Sequence, residues 1–314
     1  MIHQLDFNGI DKVEKAMQRL KLYEPPEGYY LCFSGGKDSV VIKALADMAG
    51  VKYDAHYNVS SVDPPELVQF IKHEHPDVEF EHHYDKDGNR ITMWTLIANT
   101  KCPPTRHIRY CCAYLKEAGG KGRLKITGVR WAESAMRKKS HGEVSIRGSW
   151  GKTKAQEIAE KEYSDIAYKI TPQGGVALPL DNRENAKLVE TCYRTHDTTV
   201  NPIIDWTDAE VWEFINEYNI PYCELYDKGW TRLGCIGCPM ATRKEREREF
   251  AYFPKYRNLY LLAFDKMLKN KWREDEPKKL GRTPEEVMEW WLLDKMPIER
   301  EATEIMELMD NELV

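Results

Sequence analysis

The chain has 314 residues, of which 42% are hydrophobic and 31% are charged, with 46 Lys and Arg against 51 Asp and Glu. This length allows one large domain or two of ordinary size, and 9 Trp and 17 Tyr argue against a disordered chain. No apolar run approaches the roughly 20 residues that span a membrane, and the first residues lack a signal-peptide core, so we expect a soluble cytoplasmic protein. In that compartment the eight cysteines are expected to be thiols, metal ligands or catalytic groups rather than disulfides.

The first half of the chain alternates strand-like and helix-like segments. Strands are predicted, in chain order, at 29–33, 51–59, 78–83 and 124–128, and helices at 38–48, 64–75 and 91–98. Strands that alternate with helices form parallel sheets, because a parallel connection needs a crossover. The sequence therefore predicts an α/β fold, a parallel sheet with helices on both faces.

The second half is harder to interpret. Residues 139–200 contain several glycines and are less regular, and we interpret them as an irregular insertion or as a mobile substrate-facing region. Regular structure resumes at Thr207, where the run Thr-Asp-Ala-Glu forms a capping box that starts a helix. From Arg243 onward the chain is predicted to be helical, with breaks at prolines. We expect an α/β domain over 1–240 and a helical C-terminal extension over 241–314.

The sharpest motif lies between the first strand and the first helix after it. It comprises Ser34, Gly35, Gly36, Lys37, Asp38 and Ser39. The glycines let the backbone turn tightly and bring its N–H groups onto phosphate oxygens, and the following helix N-terminus favours negative charge. The two serines offer hydroxyl donors, and Lys37 supplies a mobile positive charge. The GxxxxGK[ST] spacing of a Walker A loop is absent.

This hexapeptide resembles the SGGxDS motif of the PP-loop ATP pyrophosphatase superfamily. The resemblance implies an adenine-nucleotide α-hydrolase-like fold, with ATP cleaved between its α- and β-phosphates in the presence of Mg²⁺. It also implies that the loop from Ser34 to Ser39 holds pyrophosphate, and that the backbone near Asn58 and Val59 meets the adenine. Asp63 faces the nucleotide or a metal, or else caps the helix that starts at the following prolines.

A second motif follows the fourth predicted strand, in the stretch GVRWAESAMR over 128–137. Loops at the carboxyl ends of parallel strands line the ligand crevice, so Arg130 and Arg137 are candidates to clamp anionic oxygens, with Glu133 orienting one of them. An ordinary surface cluster of ion pairs is the alternative. The stretch from Gly128 resembles the GxRxxES loop of the phosphoadenosine phosphosulfate (PAPS) reductase branch, which favours the functional interpretation.

A third block supports the same branch. The run NPIIDWT over 201–207 is followed by Leu225-Tyr226-Asp227 and by GCIGCP over 234–239. This order resembles the P-[IL]-x-D-W…LYD…GCxxC block of the PAPS reductase branch. The resemblance covers residues 28–240 by several ordered motifs.

Four cysteines form a candidate metal or cluster set. Cys235 and Cys238 form a CxxC turn, and Cys111 and Cys112 are adjacent, so their side chains diverge. Divergent thiolates suit the separate irons of a cubane better than one zinc ion, although zinc or free thiols remain alternatives. The same CC…CxxC arrangement ligates a [4Fe–4S] cluster in the adenylylsulfate reductases that the chain resembles. A structural role and a sulfur-carrying role remain equally open for Cys102 and Cys192.

The net charge of -5 is an average over opposed segments. Residues 101–154 hold 14 basic and 3 acidic side chains, a balance of +11, and residues 228–283 have a balance of +8. The tail 284–314 has a balance of -8. A polyanion-facing surface is expected from the first block, whereas solvated helix faces explain the second block equally well.

Three functions are consistent with these motifs. The first is a sulfurtransferase that cleaves ATP to adenylate an oxygen, which a sulfur species then displaces; it resembles the Dnd- or Ssp-type DNA phosphorothioation proteins, with tRNA as a second acceptor. Its partners would be DNA, a sulfur donor such as a cysteine desulfurase, and subunits of a modification complex. The second is a PAPS or adenylylsulfate reductase, ranked lower because Cys238 is the last cysteine and no ECGxH-like motif follows. The third is a non-catalytic nucleotide-binding cluster module.

Overall fold

The structure is a computed structural model that describes residues 1–6, 9–147, 156, 157, 160, 167–172, 174–179, 181–194, 196–272 and 280–293. Its strands are β1 Tyr29–Cys32, β2 Tyr53–Asn58, β3 Glu79–Glu81, β4 His83–Tyr84, β5 Arg90–Ile91, β6 Lys125–Ile126, β7 Val144–Arg147, β8 Lys169–Ile170, β9 Val176–Leu178 and β10 Asp197–Val200. Its helices are α1 Lys12–Leu22, α2 Lys37–Ala49, α3 Pro65–Glu74, α4 Met93–Ala98, α5 Tyr110–Leu115, α6 Ala135–Ser140, α7 Arg183–Cys192, α8 Asp208–Glu217, α9 Arg243–Tyr252, α10 Pro254–Lys271 and α11 Pro284–Leu292.

Among the described residues the main sheet has eight strands, in the order β3-β2-β1-β6-β10-β7-β9-β8. Strands β2, β1, β6 and β10 pair in parallel, whereas β7, β9 and β8 add to β10 in antiparallel pairs. The central strand β1 is apolar along its length, with Tyr29, Tyr30 and Leu31 all buried, as a strand covered on both faces requires. The predicted α/β fold, a sheet flanked by helices, is confirmed.

Two sequence-based predictions differ from the structure: the interpretation of residues 139–200 and the start of the helix near residue 91. The described part of 139–200 is not irregular, because it supplies β7, β8, β9, β10 and α7. Short buried strands there give no clear periodicity, and their partners lie far along the chain. The helix predicted from residue 91 begins instead at Met93, since Thr92 caps it and Ile91 pairs with β4.

The chain divides into two compact units. The first comprises residues 1–57, 66–79 and 120–232, and the second comprises 58–65, 80–119 and 233–314. Helices α9 to α11 belong to one unit with residues 58–65 and 80–119. The rest of the acidic tail, 294–314, lies outside the described residues.

The core of the second unit is aromatic. Trp291 is fully buried, with its ring 4.8 Å from Tyr260 and 5.5 Å from Phe264. Its indole N–H donates to the carbonyl of Pro104 at 2.7 Å, and the Arg246 guanidinium lies 4.0 Å from its ring centroid. In the described part of the chain, no helix is both long and apolar enough to cross a membrane.

Candidate functional site

The serine- and glycine-rich loop lies between β1 and α2 in the first unit, as the sequence predicts. Gly35 adopts a left-handed φ of +73° and packs tightly, since a Cβ there would lie 2.7 Å from Leu67 Cδ1 and 2.9 Å from Ile71. A side chain at this position would be strained twice, by its backbone conformation and by helix α3. The loop shape therefore requires glycine at residue 35.

The hydroxyls of the loop form a small hydrogen-bonded group. Ser39 Oγ donates to the carbonyl of Gly36 at 2.8 Å, and Ser34 Oγ lies 3.3 Å from Ser39 Oγ. The N–H of Gly36 donates to Ser34 Oγ at 3.4 Å. Gly36 is the N-cap of α2 and supplies no side-chain cap, and the N–H of Lys37 donates to the Tyr226 hydroxyl at 2.9 Å.

Two cations and two carboxylates lie beside the loop. The Lys37 ammonium is buried, 3.1 Å from Asp208 Oδ1 and 3.5 Å from Asp38 Oδ2. Arg130 is 2% exposed; its Nε donates to Asp38 at 2.6 Å and its Nη2 to Asp208 at 2.9 Å. Burial opposes the charge, but the two carboxylates raise the pKa of Arg130, and Lys37 lowers the pKa of Asp208 against the effect of burial. The Lys37 charge is thus held in place by two carboxylates.

The GxRxxES loop places Arg130 in this network. A Cβ on Gly128 would lie 3.0 Å from Asp38 Cβ, so glycine lets the end of β6 approach helix α2 closely. Glu133 accepts the backbone N–H of Arg130 at 2.8 Å, and its other oxygen lies 3.8 Å from Arg137 Nε. Arg137 is half-exposed and lies on α6. Arg137 forms an ion pair with Glu133, whereas Arg130 contacts Asp38 directly.

The predicted adenine contacts lie at the end of β2, in the second unit. The N–H of Val59 donates to the carbonyl of Glu81 at 3.0 Å. The side-chain oxygen of Asn58 is buried and accepts no hydrogen bond from the described residues. Asp63, in the same unit, accepts a hydrogen bond from Ser60 Oγ at 2.6 Å.

The CxxC turn is held by hydrogen bonds within the second unit. The N–H of Cys238 donates to the carbonyl of Cys235 at 3.2 Å, and the N–H of Gly237 donates to Glu249 at 2.6 Å. Tyr260 donates its hydroxyl to the carbonyl of Ile236 at 2.9 Å. Cys235 Sγ donates to Ser60 Oγ at 3.6 Å. These hydrogen bonds hold the shape of the turn.

The adjacent pair Cys111 and Cys112 lies on the short helix α5 in the same unit and interacts with the CxxC thiols. A hydrogen bond from Cys111 and the Arg109 guanidinium 3.3 Å away together lower the pKa of Cys112 to about 5, against the effect of burial. The Cys112 partner, burial and the charges on Cys235 and Cys238 raise the pKa of Cys111. In the part of the chain that the structure describes, no group of three or more His, Cys, Asp or Glu is arranged to hold a metal ion.

Cys102 and Cys192 are the two other candidate cysteines. Cys102 is buried, and its carbonyl accepts hydrogen bonds from the hydroxyls of Thr100 and Tyr110. Cys192 ends α7, and its side chain lies outside the described residues.

Sequence reasoning missed two residues of the loop site. Asp208 was recognised only as part of a capping box, and Tyr226 only as part of a motif, yet both contact the loop. Both residues lie far from the loop in the sequence, so the sequence alone does not indicate these contacts. A carboxylate at the first position of a capped helix after a buried strand was the available signal for Asp208.

The first basic block carries less free charge than its balance of +11 indicates. Arg123 pairs with Asp54 at 2.6 Å, Lys125 pairs with Asp197 at 2.7 Å, and Arg130 lies in the loop network. These acidic partners lie outside the block, so a count along the sequence could not include them. Other basic side chains of the block are carried by helix α6 (Arg137, Lys138, Lys139).

Residues 28–241, more than two thirds of the chain, match the model of the phosphoadenosine phosphosulfate reductase domain. The chain belongs to this family. The match begins just before β1 and ends just after the CxxC turn, so it includes both the loop and the four cysteines. This membership confirms the branch predicted from the motifs.

Individual relatives match shorter stretches. An uncharacterized protein of Methanocaldococcus jannaschii is 32% identical over 111 residues, which are 35% of this chain and 23% of that protein. An adenosine 5'-phosphosulfate reductase of Bacillus cytotoxicus is 31% identical over 64 residues, 20% of this chain and 27% of that protein. The chain thus spans about a quarter of these curated relatives. The crystal structure of a PAPS reductase from Candida auris covers 75% of this chain and 98% of its own, with a TM-score of 0.39 and 14% identity.

Proposed function

We propose that this protein is an ATP-cleaving sulfurtransferase of the PAPS reductase domain family. The observation that carries the proposal is the loop from Ser34 to Ser39, with its two hydroxyls, a helix N-terminus that follows it and the buried cations Lys37 and Arg130 beside it. Such a loop suits the phosphates of a nucleotide. Family membership supports an enzyme of nucleotide-linked sulfur chemistry.

The proposed reaction has two displacements. An acceptor oxygen attacks the α-phosphorus of ATP, the bond to the β-phosphate oxygen breaks, and pyrophosphate leaves from the loop. A sulfur nucleophile then attacks the adenylated centre, and AMP leaves with the acceptor oxygen. Lys37 and Arg130, held rigid by Asp38 and Asp208, would stabilise the charge that develops on the phosphates. Mg²⁺ would supply further neutralisation of the phosphate charge.

The four cysteines of the second unit are proposed to bind a [4Fe–4S] cluster. Cys111 interacts electrostatically with Cys112, Cys235 and Cys238, although among the described residues no three of them are arranged to hold a single metal ion. Four cysteine thiolates are the donor set that iron–sulfur clusters take. Zinc is the alternative that four thiolates also fit. The cluster would hold or relay sulfur supplied by a donor such as a cysteine desulfurase.

The proposed acceptor is a nucleic acid, with DNA ranked before tRNA. The supporting observation is the run Arg137, Lys138 and Lys139 on helix α6, a run that starts four residues after Glu133 of the GxRxxES loop. Basic side chains close to the loop would neutralise the phosphates of a phosphodiester substrate. Binding of a short DNA duplex should weaken steeply with salt and should weaken further in Lys138→Ala with Lys139→Ala.

The decisive experiment is incubation with ATP and magnesium. Wild type should release pyrophosphate and AMP, and Ser39→Ala should lose this activity because Ser39 Oγ holds the Gly36 carbonyl of the loop. Ser140→Ala is a matched control, since that hydroxyl bonds within helix α6. Absence of pyrophosphate release by folded wild type, with DNA and a sulfur donor present, would overturn the proposal and favour the non-catalytic module.

Iron content tests the cluster separately. Anaerobically purified protein should be brown, and Cys111→Ser with Cys112→Ser should remove the iron, whereas Cys32→Ala in strand β1 should keep it. A colourless protein with stoichiometric zinc would refute the cluster but leave the ATP reaction open.

A reductase is the second candidate, favoured by the family and by curated relatives that are named adenosine 5'-phosphosulfate reductases. The measurement is sulfite formation from PAPS or adenylylsulfate with thioredoxin as reductant. Sulfite production without ATP cleavage would establish the reductase and exclude the sulfurtransferase.

A further inference from the structure

The hydroxyl of Tyr226 lies at the turn of the loop, although 189 residues separate it from Lys37. The backbone N–H of Lys37, at the first position of helix α2, donates to this hydroxyl oxygen at 2.9 Å. A Cβ built on Gly36 would lie 3.6 Å from the same oxygen. Tyr226 therefore reaches the side of the loop where a bound phosphate would take the N–H groups.

The ring of Tyr226 is held in this position by its neighbours. Trp212 of helix α8 packs edge-on against it, with centroids 5.0 Å apart and planes at 84°. The N–H of Tyr226 donates to the carbonyl of Cys223 at 3.1 Å, and Leu225 beside it is fully buried. The hydroxyl is thus presented to the loop by a fixed ring.

The hydroxyl has a donor to offer. A phenol carries one O–H donor, and its oxygen already accepts the N–H of Lys37. Within the described residues this O–H donates to no acceptor. Burial raises the pKa of Tyr226 well above its ordinary value, so the proton is retained at neutral pH.

We infer that Tyr226 is a phosphate-binding residue, whose hydroxyl donates to an oxygen of the pyrophosphate portion of the nucleotide in the loop. This inference rests on the proposed function and adds to it a contact from a distant part of the chain. A hydrogen bond to a charged oxygen contributes about 1.5–3 kcal/mol, which corresponds to roughly 10- to 100-fold in affinity. The competing interpretation is that Tyr226 only caps helix α2.

The test is calorimetric titration of the full chain with inorganic pyrophosphate and, separately, with AMP, so that no turnover is needed. Tyr226→Phe keeps the ring and removes the hydroxyl. Tyr222→Phe is the matched control, because its ring packs on the same Trp212 at 5.2 Å while its hydroxyl donates to Asp227. Melting temperature is recorded for every variant.

Tyr226→Phe should weaken pyrophosphate binding at least tenfold, leave AMP binding within twofold and keep the melting temperature of wild type. Tyr222→Phe should change neither affinity. Unchanged or tighter pyrophosphate binding by Tyr226→Phe would overturn the inference while the proposed function stands. Parallel loss of both affinities and of thermal stability would assign Tyr226 to capping alone. Wild type that binds no pyrophosphate and cleaves no ATP would overturn the proposed function as well.

Discussion

Replacing Gly35 by alanine tests whether the loop from Ser34 to Ser39 requires a left-handed residue packed against helix α3. At a φ of +73° an alanine costs roughly 1–2 kcal/mol more than glycine. Its Cβ would also lie 2.7 Å from Leu67 and 2.9 Å from Ile71, two buried side chains that have little room to move. Overpacking of this kind costs about 1–3 kcal/mol, so the total loss of unfolding free energy should be about 2–5 kcal/mol.

Urea unfolding of the full chain measures this loss, and Gly50→Ala separates its two parts. Gly50 ends helix α2 at a φ of +71°, and a Cβ there would meet nothing within 4 Å. Gly50→Ala should therefore show the backbone cost alone, and Gly35→Ala should exceed it by about 1–3 kcal/mol. Equal losses in the two variants would refute the packing argument. A double-variant cycle with Leu67→Ala should show favourable coupling of about 1 kcal/mol or more, since the nearest contact is removed.

Three further predictions concern buried groups. Burial raises the pKa of Glu210, but Lys12 and the N-cap Thr207 of helix α8 outweigh it and lower this pKa to about 2. The stabilisation from Glu210 should therefore be present above pH 4.5 and lost as the pH falls towards 2. Glu210→Gln should reduce this acid-dependent loss of unfolding free energy by at most about 2 kcal/mol. Burial raises the pKa of Glu143 to about 7, so the stability of wild type should fall as the pH rises from 4.5 to 7. At about pH 8, Glu143→Gln should be more stable than wild type by about 2 kcal/mol. A less stable variant would mean that the ionised carboxylate pairs favourably in the folded protein. Trp291→Ala should lower the unfolding free energy by about 3–5 kcal/mol, because it also removes the indole ring that the buried Arg246 packs against. In the same urea assay, replacing the exposed Tyr252 by alanine should change the unfolding free energy by no more than about 0.5 kcal/mol.

The local features of the site could be predicted because they depend on residues close together in the chain. The turn at Gly35, the cap at Thr207 and the CxxC turn each form within a few residues, and the structure has all three where the sequence places them. The α/β fold followed from the alternation of strand and helix patterns in the first half. The antiparallel strands within 139–200 were not predicted, because strands of two to four residues are too short for a periodic signal.

The sequence by itself determined the serine- and glycine-rich loop, the family and the positions of the four candidate cysteines, since each is encoded by a short motif. Only the tertiary structure decided which side chains join that loop. Arg130 reaches Asp38 across 92 residues and Asp208 across 78, and Tyr226 reaches Lys37 across 189. Tertiary pairing also neutralises basic side chains that a count along the chain leaves unpaired. The physical reason is that strand order and helix packing set these distances, and no local pattern of residues records that order.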